Sequence, residues 1–328
     1  MKDSKTAKKY RLKSLGLPII ESADDFTRLL KISSSIIQQI SKQTTKDRFY
    51  KEYRIPKKSK GFRQIAQPVR KLKALQIWIL RNILDKLTTS DSSKGFEKGT
   101  NIKDNVRPHV GARVIMSLDL ESFFPSISSN KVFGIFYSLG YNTEASWLFT
   151  NICTYKNKLP QGSPSSPKLS NLICWKLDFR IEGYTNKRDI VFSRYADDLT
   201  FSSKSIKKII KAKNMVKHII EDEGFVINED KTRIMGPSRQ KKVTGLIVSG
   251  HKVGIGRKKY REMRVKIINL FTHESDDFSH VMGWMSYINS VDKSVYKRLI
   301  LYIEKLSIQF SNSIAVEEFK ALIKNGNL

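Results

Sequence analysis

The sequence of 328 residues predicts an α+β fold, with strands and helices interleaved in the middle of the chain and helices dominating both ends. Two patterns carry this prediction. Apolar residues recur every three or four positions in several segments, which is typical of amphipathic helices. Short runs of β-branched and aromatic residues between those segments are typical of strands. Hydrophobic residues make up 40% of the chain, enough for a sizeable core.

The first half of the chain begins with short helices at 22–45. Residues 50–68 predict a β-hairpin that turns around Lys60 and Gly61. A longer amphipathic helix is predicted at 71–87, and residues 112–127 then predict a strand that ends in a polar turn and a loop.

The second half alternates in the same way before it becomes helical. Asp197 and Asp198 fall at the turn between two predicted strands. Gly224 ends an amphipathic helix whose outer face is rich in lysine. The predicted segments are a helix at 166–181, a strand–turn–strand unit at 190–203, a helix at 205–220, strands at 224–237 and 241–255, and helices from 257 to the end with polar breaks near 273–280 and 290–294.

The net charge indicates the kind of partner. Lys and Arg number 60 against 31 Asp and Glu, which gives a formal net charge of +29. A surplus of this size points to a polyanion, most often nucleic acid. A merely basic soluble protein and an anionic membrane surface are the alternatives.

Other features argue against a membrane or secreted protein. No apolar run approaches the roughly 18 residues of a transmembrane helix, and the basic N-terminus is not followed by the apolar core of a signal peptide. The two cysteines, Cys153 and Cys174, lack metal-ligand spacing. We therefore expect a cytoplasmic protein with reduced thiols and no membrane partner.

Three aspartates occupy unusual positions at strand ends. Asp197 and Asp198 lie side by side within an otherwise apolar segment, and Asp119 ends a hydrophobic strand between Leu118 and Leu120. Each alone could be a solvated turn or a cap. Together, in a strongly basic chain, they predict a site for hard cations, because Mg²⁺ prefers oxygen ligands. Two strands that deliver three carboxylates could hold two Mg²⁺ ions about 4 Å apart, as in-line phosphoryl transfer requires.

The segment Tyr-Ala-Asp-Asp at 195–198 resembles the Tyr-x-Asp-Asp box of reverse transcriptases. Further blocks that resemble this family follow its order along the chain. They are FRQIAQP (62–68), SLDLESFFPSI (117–127), LPQGSPSSPKLSNL (159–172), GFVINEDKT (224–232) and VTGLIVS (243–249).

Within that family, the chain resembles the bacterial retron reverse transcriptases over nearly its whole length. These enzymes carry an Asn-Ala-x-x-His element, which NVRPH (105–109) matches except that Val106 replaces Ala. Their Val-Thr-Gly element is present unaltered at 243–245. The resemblance implies a right-hand polymerase. Fingers and palm would occupy residues 1–250, with the palm core and its antiparallel sheet at about 112–250, and a helical thumb would occupy 251–328.

The resemblance also implies roles for individual residues. Asp119, Asp197 and Asp198, with the backbone carbonyl of Leu120, would ligate two Mg²⁺ ions, for which Mn²⁺ could substitute. The residues implied at the incoming nucleotide are Arg63 at the triphosphate, Phe124 as the aromatic gate under the sugar, Gln161 to orient the nucleotide, Gly162 to let the backbone approach it, and Lys231 near the pyrophosphate.

Two groups of residues are implied in RNA and primer binding. The first consists of the two subgroup elements, and the second is a basic stripe on the predicted thumb, where Lys and Arg would contact phosphates. They comprise Asn105, His109, Val243, Thr244 and Gly245, and Arg257, Lys258, Arg261 and Arg264.

The implied function is RNA-templated DNA synthesis from dNTPs. A retron enzyme would copy its own structured noncoding RNA, prime from an internal 2′-hydroxyl, and make a branched RNA–DNA hybrid, multicopy single-stranded DNA. It would act in antiphage defence with a separate effector protein. Two alternatives stay open at this point: a group II intron-like or diversity-generating reverse transcriptase, and a non-catalytic palm that scaffolds RNA.

Overall fold

A computed structural model describes residues 2–41, 47–57, 61–272 and 277–325. The chain divides into two compact units, each assembled from separate segments. The first unit comprises Met1–Thr100, Ser117–Leu199 and Ile210–Arg233. The second comprises Asn101–Met116, Thr200–Ile209 and Ile234–Leu328. Helices and strands interleave along the chain, as the predicted α+β class requires.

The helices and strands are numbered separately in chain order. The helices are α1 (Lys2–Ser14), α2 (Ala23–Leu30), α3 (Ser34–Ser41), α4 (Arg70–Asn82), α5 (Ile102–Val106), α6 (Phe123–Ser126), α7 (Ser129–Leu139), α8 (Thr143–Cys153), α9 (Ser166–Ile173), α10 (Trp175–Asn186), α11 (Ile206–Asp222), α12 (Gly256–Thr272), α13 (Phe278–Val291), α14 (Lys293–Gln309) and α15 (Ile314–Asn325). The strands are β1 (Tyr50–Pro56), β2 (Phe62–Pro68), β3 (Val114–Asp119), β4 (Val191–Tyr195), β5 (Asp198–Ser203), β6 (Arg233–Met235), β7 (Lys241–Val243), β8 (Leu246–Val248) and β9 (Val253–Gly254).

The predicted hairpin is confirmed as the antiparallel pair β1 and β2, in which Tyr50 lies opposite Pro68 and Pro56 opposite Phe62. The backbone N–H of Lys57 donates to the carbonyl of Gly61 at 2.9 Å, which closes the hairpin. Lys60, the expected turn residue, lies outside the described residues.

Most predicted helices occur where their apolar periodicity places them. In α4, the predicted inward residues Leu72, Leu75 and Ile79 are buried. The helix expected at 166–181 is instead two helices, α9 and α10, which meet at Cys174, where ψ is −1°. Gly224 follows the end of α11 with a φ of +74°, the left-handed conformation that glycine adopts without strain.

A four-stranded sheet has the strand order β4-β5-β3-β6. The residues between β4 and β5 are Ala196 and Asp197, so the chain reverses there in a two-residue turn. Apolar side chains of β3 are almost fully buried, Val114, Ile115, Met116 and Leu118 among them. Asp119, the last residue of β3, therefore lies at the end of an inner strand of this sheet and is itself only 8% exposed.

The second unit contains a small antiparallel sheet, β7-β8-β9, and the helices α12 to α15. Met263, Ile267 and Leu270 of α12 are buried, as their spacing predicted. The polar break predicted near 290–294 lies between α13 and α14, where the side chain of Asp292 accepts a hydrogen bond from the N–H of Val295. The break predicted near 273–280 falls partly on residues outside the described ranges. Among the described residues, no helix has the length and apolarity needed to cross a membrane.

Candidate active site

Backbone hydrogen bonds tie the end of β3 to the turn between β4 and β5. The N–H of Leu120 donates to the carbonyl of Asp197 at 3.0 Å, and the N–H of Asn228 donates to the carbonyl of Asp119 at 2.8 Å. These bonds place Asp119, Asp197 and Asp198 in one region of the first unit, as the strand-end pattern predicted.

The electrostatics of this region show a concentration of negative charge. Burial raises the pKa of Asp197, and the charge of Asp119 raises it further. Burial, together with the charges of Asp197 and Asp119, raises the pKa of Asp198 to about 6. When burial and like charges oppose the ionisation of carboxyl groups in this way, binding of a cation beside them stabilises the ionised form.

One cation is already present. The Nζ atom of Lys231 lies 2.7 Å from Oδ1 of Asp119. Lys231 ends a short 3-10 helix, Glu229–Lys231, and its side chain is half exposed, whereas that of Asp119 is 11% exposed. The ammonium thus occupies a position beside the carboxylate where a metal ion would also be attracted.

The three aspartates are chemically suited to hard cations, but their side chains are not arranged as a complete metal-binding site. Within the described ranges, no group of three or more His, Cys, Asp or Glu side chains is arranged to hold a metal ion. The aspartates nevertheless supply the oxygen ligands that Mg²⁺ takes, usually together with substrate phosphates. Lys231 acts as a stand-in ion on Asp119, which shows that this carboxylate can be approached by a cation.

The aromatic residues after Asp119 differ in exposure. Phe123 is buried in the core, whereas Phe124 is partly exposed, with the two ring centroids 5.3 Å apart. The ring of Phe124 lies 6.2 Å from that of Phe96, which in turn lies 6.3 Å from that of Tyr195. Phe124, the predicted gate, therefore belongs to an aromatic cluster beside the aspartate turn.

Phe96 has no counterpart among the predicted site residues. Its side chain is 44% exposed and its φ of +64° is uncommon for a bulky residue. Backbone strain of this kind is concentrated at functional sites. An aromatic residue in a polar loop is too common a sequence pattern to indicate a site, so only the fold identifies Phe96.

The loop that carries Gln161 and Gly162 packs against β2. The N–H of Ala66 donates to the carbonyl of Gln161 at 2.9 Å. Gly162 has a φ of +129°, and a Cβ atom there would lie only 2.8 Å from the carbonyl oxygen of Ala66. Packing against β2 is thus one observed reason for this glycine, and its expected role at the incoming nucleotide stays a prediction. Arg63 is exposed on the same strand, and its charge lowers the pKa of Asp197, against the larger raising effect of burial.

The two subgroup elements meet in the second unit. The side-chain amide of Asn105 donates to Oγ1 of Thr244 at 3.4 Å. Thr244 and Gly245 form the two-residue turn between β7 and β8, with φ values of +43° and +91°. Positive φ at both positions is the conformation of a type I′ hairpin turn, which is unusual for threonine.

The side chains behind this turn are buried. Asn105, His109 and Val243 are at most 1% exposed, and Nδ1 of His109 lies 2.7 Å from Oγ of Ser202. Burial lowers the pKa of His109 to about 4, so the imidazole is neutral at physiological pH. Asn105 and Val243 therefore support the turn from inside, His109 is buried against Ser202, and only Thr244 and Gly245 of the set reach the surface.

The second unit also has a basic cavity of about 1160 Å³. Its lining includes one acid, Asp292, whose carboxylate accepts from the N–H groups of Val295 and Ile255. The Lys and Arg residues that line it are Lys103, Arg107, Lys252, Arg257, Lys293 and Arg298. Of the predicted stripe, Arg257 lines this cavity, while Lys258, Arg261 and Arg264 are exposed on α12. The guanidinium of Arg264 lies over the ring of Tyr302, 4.2 Å from its centroid.

Comparisons with known proteins agree with this geometry. Residues 55–248 match the family model described as reverse transcriptase (RNA-dependent DNA polymerase). The chain is 50% identical over 315 residues to the Retron Ec86 reverse transcriptase of Escherichia coli, covering 95% of this chain and 98% of that one. It is 29% identical to the Retron Mx65 reverse transcriptase of Myxococcus xanthus, covering 88% and 73% of the two chains.

A solved telomerase structure from Candida albicans shares the fold. Its TM-score is 0.51 at 14% sequence identity, and the match covers 80% of this chain and 56% of the telomerase chain. This likeness supports the right-hand polymerase architecture predicted from the sequence. From the family match and the identity to retron enzymes, the chain belongs to the retron reverse transcriptases, which are RNA-directed DNA polymerases.

Proposed function

We propose that Asp119, Asp197 and Asp198, with the carbonyl of Leu120, hold two Mg²⁺ ions, for which Mn²⁺ can substitute. The observation that carries this proposal is the gathering of three carboxylates whose charges oppose one another, beside a lysine that already neutralises one of them. When bound, the ions activate the primer hydroxyl and stabilise the charge on the triphosphate and the leaving pyrophosphate.

The neighbouring residues then act on the incoming dNTP. Arg63, exposed on β2, binds the triphosphate, since a guanidinium matches phosphate geometry. Lys231 can turn from Asp119 to the pyrophosphate because half of its side chain is exposed. Phe124 lies beneath the sugar and excludes a 2′-hydroxyl. Gln161 orients the nucleotide from a loop that Gly162 packs against β2.

The template in this proposal is a cognate structured noncoding RNA. The 50% identity to a retron enzyme supports it, and so does the basic cavity of the second unit, whose side chains suit RNA phosphates. Arg257, Lys258, Arg261 and Arg264 grip the backbone, and the turn at Thr244 and Gly245 contacts RNA or primer. Asn105 and Val243 support that turn, and His109 is buried against Ser202.

The product in this proposal is a branched RNA–DNA hybrid, primed from an internal 2′-hydroxyl and known as multicopy single-stranded DNA. The enzyme works in the cytoplasm, as part of an antiphage system with a separate effector protein. Retron relatives over nearly the full chain favour this function over a group II intron-like or diversity-generating one.

Primer extension on the RNA that co-purifies with the protein tests the proposal. Wild-type protein should extend that RNA with dNTPs only when Mg²⁺ or Mn²⁺ is present, and the product should keep a 2′-linked branch. The double variant Asp197→Asn, Asp198→Asn should bind the RNA with near wild-type affinity and incorporate no dNTP. Extension by that variant at a comparable rate would show that the metal assignment is wrong.

A further inference from the structure

A fully buried ion pair lies next to the aspartate turn. The Nε and Nη2 atoms of Arg194 donate to the two carboxylate oxygens of Asp178, each at 2.7 Å. Both side chains are 0% exposed. Arg194 lies on β4 and Asp178 on α10, so this bidentate contact joins a strand and a helix of the first unit.

The remaining nitrogen of the guanidinium reaches the turn itself. Nη1 of Arg194 donates to the carbonyl of Ala196 at 3.2 Å and to Oδ1 of Asn171 at 3.1 Å. Ala196 directly precedes Asp197 and has a φ of +57°, which is uncommon for any residue but glycine. The carbonyl that Arg194 holds therefore belongs to the residue whose backbone must stay in this costly conformation.

The other side of the turn is packed against the segment around Gly95. The side-chain amide of Asn171 donates to the carbonyl of Gly95 at 2.7 Å. A Cβ atom at Gly95 would lie 2.9 Å from the backbone nitrogen of Ala196. The N–H of Lys94 also donates to the carbonyl of Arg194 at 2.8 Å. Ala196 thus lies between Arg194 on one side and Gly95 on the other, and the side chain of Asn171 hydrogen-bonds to both of these residues.

A buried ion pair contributes little to stability as such. Replacing one with well-packed apolar residues is often neutral or stabilising, because desolvation of the two charges offsets their attraction. An apolar side chain could therefore fill the position of Arg194. Only a hydrogen-bond donor at this position, however, can bind the Ala196 carbonyl.

We propose that Arg194, fixed by Asp178, is a positioning residue for the polymerase reaction. Its Nη1 holds the Ala196 carbonyl and thereby orients the carboxylates of Asp197 and Asp198 toward the metal ions. This inference rests on the proposed metal-binding role of those two aspartates. It differs from a purely structural role because loss of the Ala196 contact should impair metal binding even in a stably folded protein.

The test replaces the pair with apolar residues of similar size, Asp178→Leu with Arg194→Met. This double variant leaves no unpaired buried charge, so its melting temperature should stay near that of the wild type. We expect Mn²⁺ binding without substrate, measured by electron paramagnetic resonance, to weaken about 10–100-fold, as is typical when a residue that orients metal ligands is lost. The Mg²⁺ concentration for half-maximal extension should rise with it.

Three companion variants complete the design. Arg180→Met, on the same helix α10, breaks the surface pairs with Asp222 and Glu223 and should change neither readout. Arg194→Lys keeps a charge beside Asp178, but one ammonium cannot reproduce the fork that also reaches Ala196. It should therefore show weakened Mn²⁺ binding, and it decides the question if the double variant does not fold.

Asp197→Asn, measured in parallel, separates this inference from the metal assignment. The decisive variant is the double variant if it folds, and otherwise Arg194→Lys. If that variant binds Mn²⁺ and requires Mg²⁺ as the wild type does, while Asp197→Asn is inactive, the positioning role alone is overturned. Full activity and Mn²⁺ binding of Asp197→Asn would overturn both.

Discussion

The ammonium of Lys231 and the carboxylate of Asp119 form a 2.7 Å ion pair in the region where the three aspartates gather. The pair links the last residue of β3 to the end of the short helix after α11. The same lysine thus neutralises a proposed metal ligand in the free protein and, in the proposed function, binds pyrophosphate during the reaction.

Lys231→Met should separate these two roles. Removing a competing cation from Asp119 should tighten Mn²⁺ binding to the free protein by up to about fivefold, since a partly exposed ion pair is worth about 1 kcal/mol or less. The KM for dNTP should rise because a phosphate contact is lost. Lys217→Met is the matched control, since Lys217 pairs with Glu221 and Glu229 instead. Unchanged Mn²⁺ affinity and KM in Lys231→Met would argue against both roles.

Phe124→Val should admit ribonucleotides. The smaller side chain opens space under the sugar, so the ratio of rNTP to dNTP incorporation should increase in single-nucleotide extension. Phe123→Val, one residue earlier in the core, is the control. It should lower the free energy of unfolding by a few kcal/mol through the cavity it leaves, without changing the ratio. Equal ratios for Phe124→Val and wild type would assign Phe124 to packing alone.

His109 makes the stability of the second unit depend on pH. Burial lowers its pKa from 6.5 to about 4, so between these values the unfolded chain binds a proton that the folded chain does not. Proton uptake by the unfolded chain therefore lowers the free energy of unfolding as the pH falls from 6.5 toward 4, by up to about 3 kcal/mol. Above pH 6.5 this loss is absent. His109→Gln should flatten this dependence in urea unfolding at several pH values. His218→Gln, at an exposed histidine, is the matched control for the substitution itself.

The sequence predicted the residues whose chemistry conflicts with their surroundings. Asp119, Asp197 and Asp198 are charged groups in apolar strands, and that conflict is visible in the sequence itself. The contacts of Phe96, Arg194 and Gly162 were not predictable in this way. Each depends on a partner distant in the sequence: Phe124 for Phe96, Asp178 for Arg194, and Ala66 for Gly162.

Burial was a second limit of sequence reasoning. A motif shows that residues act together, as the Asn105–Thr244 hydrogen bond confirms, but not which of them face solvent. His109 and Val243 belong to such motifs and lie in the interior. The helix expected at 166–181 shows a related limit, since the apolar periodicity does not reveal that one helix ends and the next begins at Cys174.

The basic residues of α12 give a prediction about salt dependence. Replacing Arg257, Lys258, Arg261 and Arg264 with Gln should lower RNA affinity and flatten its dependence on salt. Each lost phosphate contact should reduce the slope of log K against log salt concentration by roughly 0.7–0.9. Arg264 should contribute least to this change, because its guanidinium also stacks on Tyr302. Lys207→Gln with Lys211→Gln, on the exposed face of α11, is the comparison variant.

Titration against cognate and scrambled RNA at several salt concentrations distinguishes two modes of binding. If the four side chains only grip phosphates, both RNAs should lose affinity equally, because the backbone is the same in each. If they also recognise the folded shape, the loss should be larger for the cognate RNA. We expect the second result, since Arg257 lines a basic cavity of about 1160 Å³ that can accept a folded element, whereas a flat surface would not discriminate. A slope unchanged for both RNAs would show that these side chains are solvated, and a change in the α11 variant would then locate the RNA on that helix.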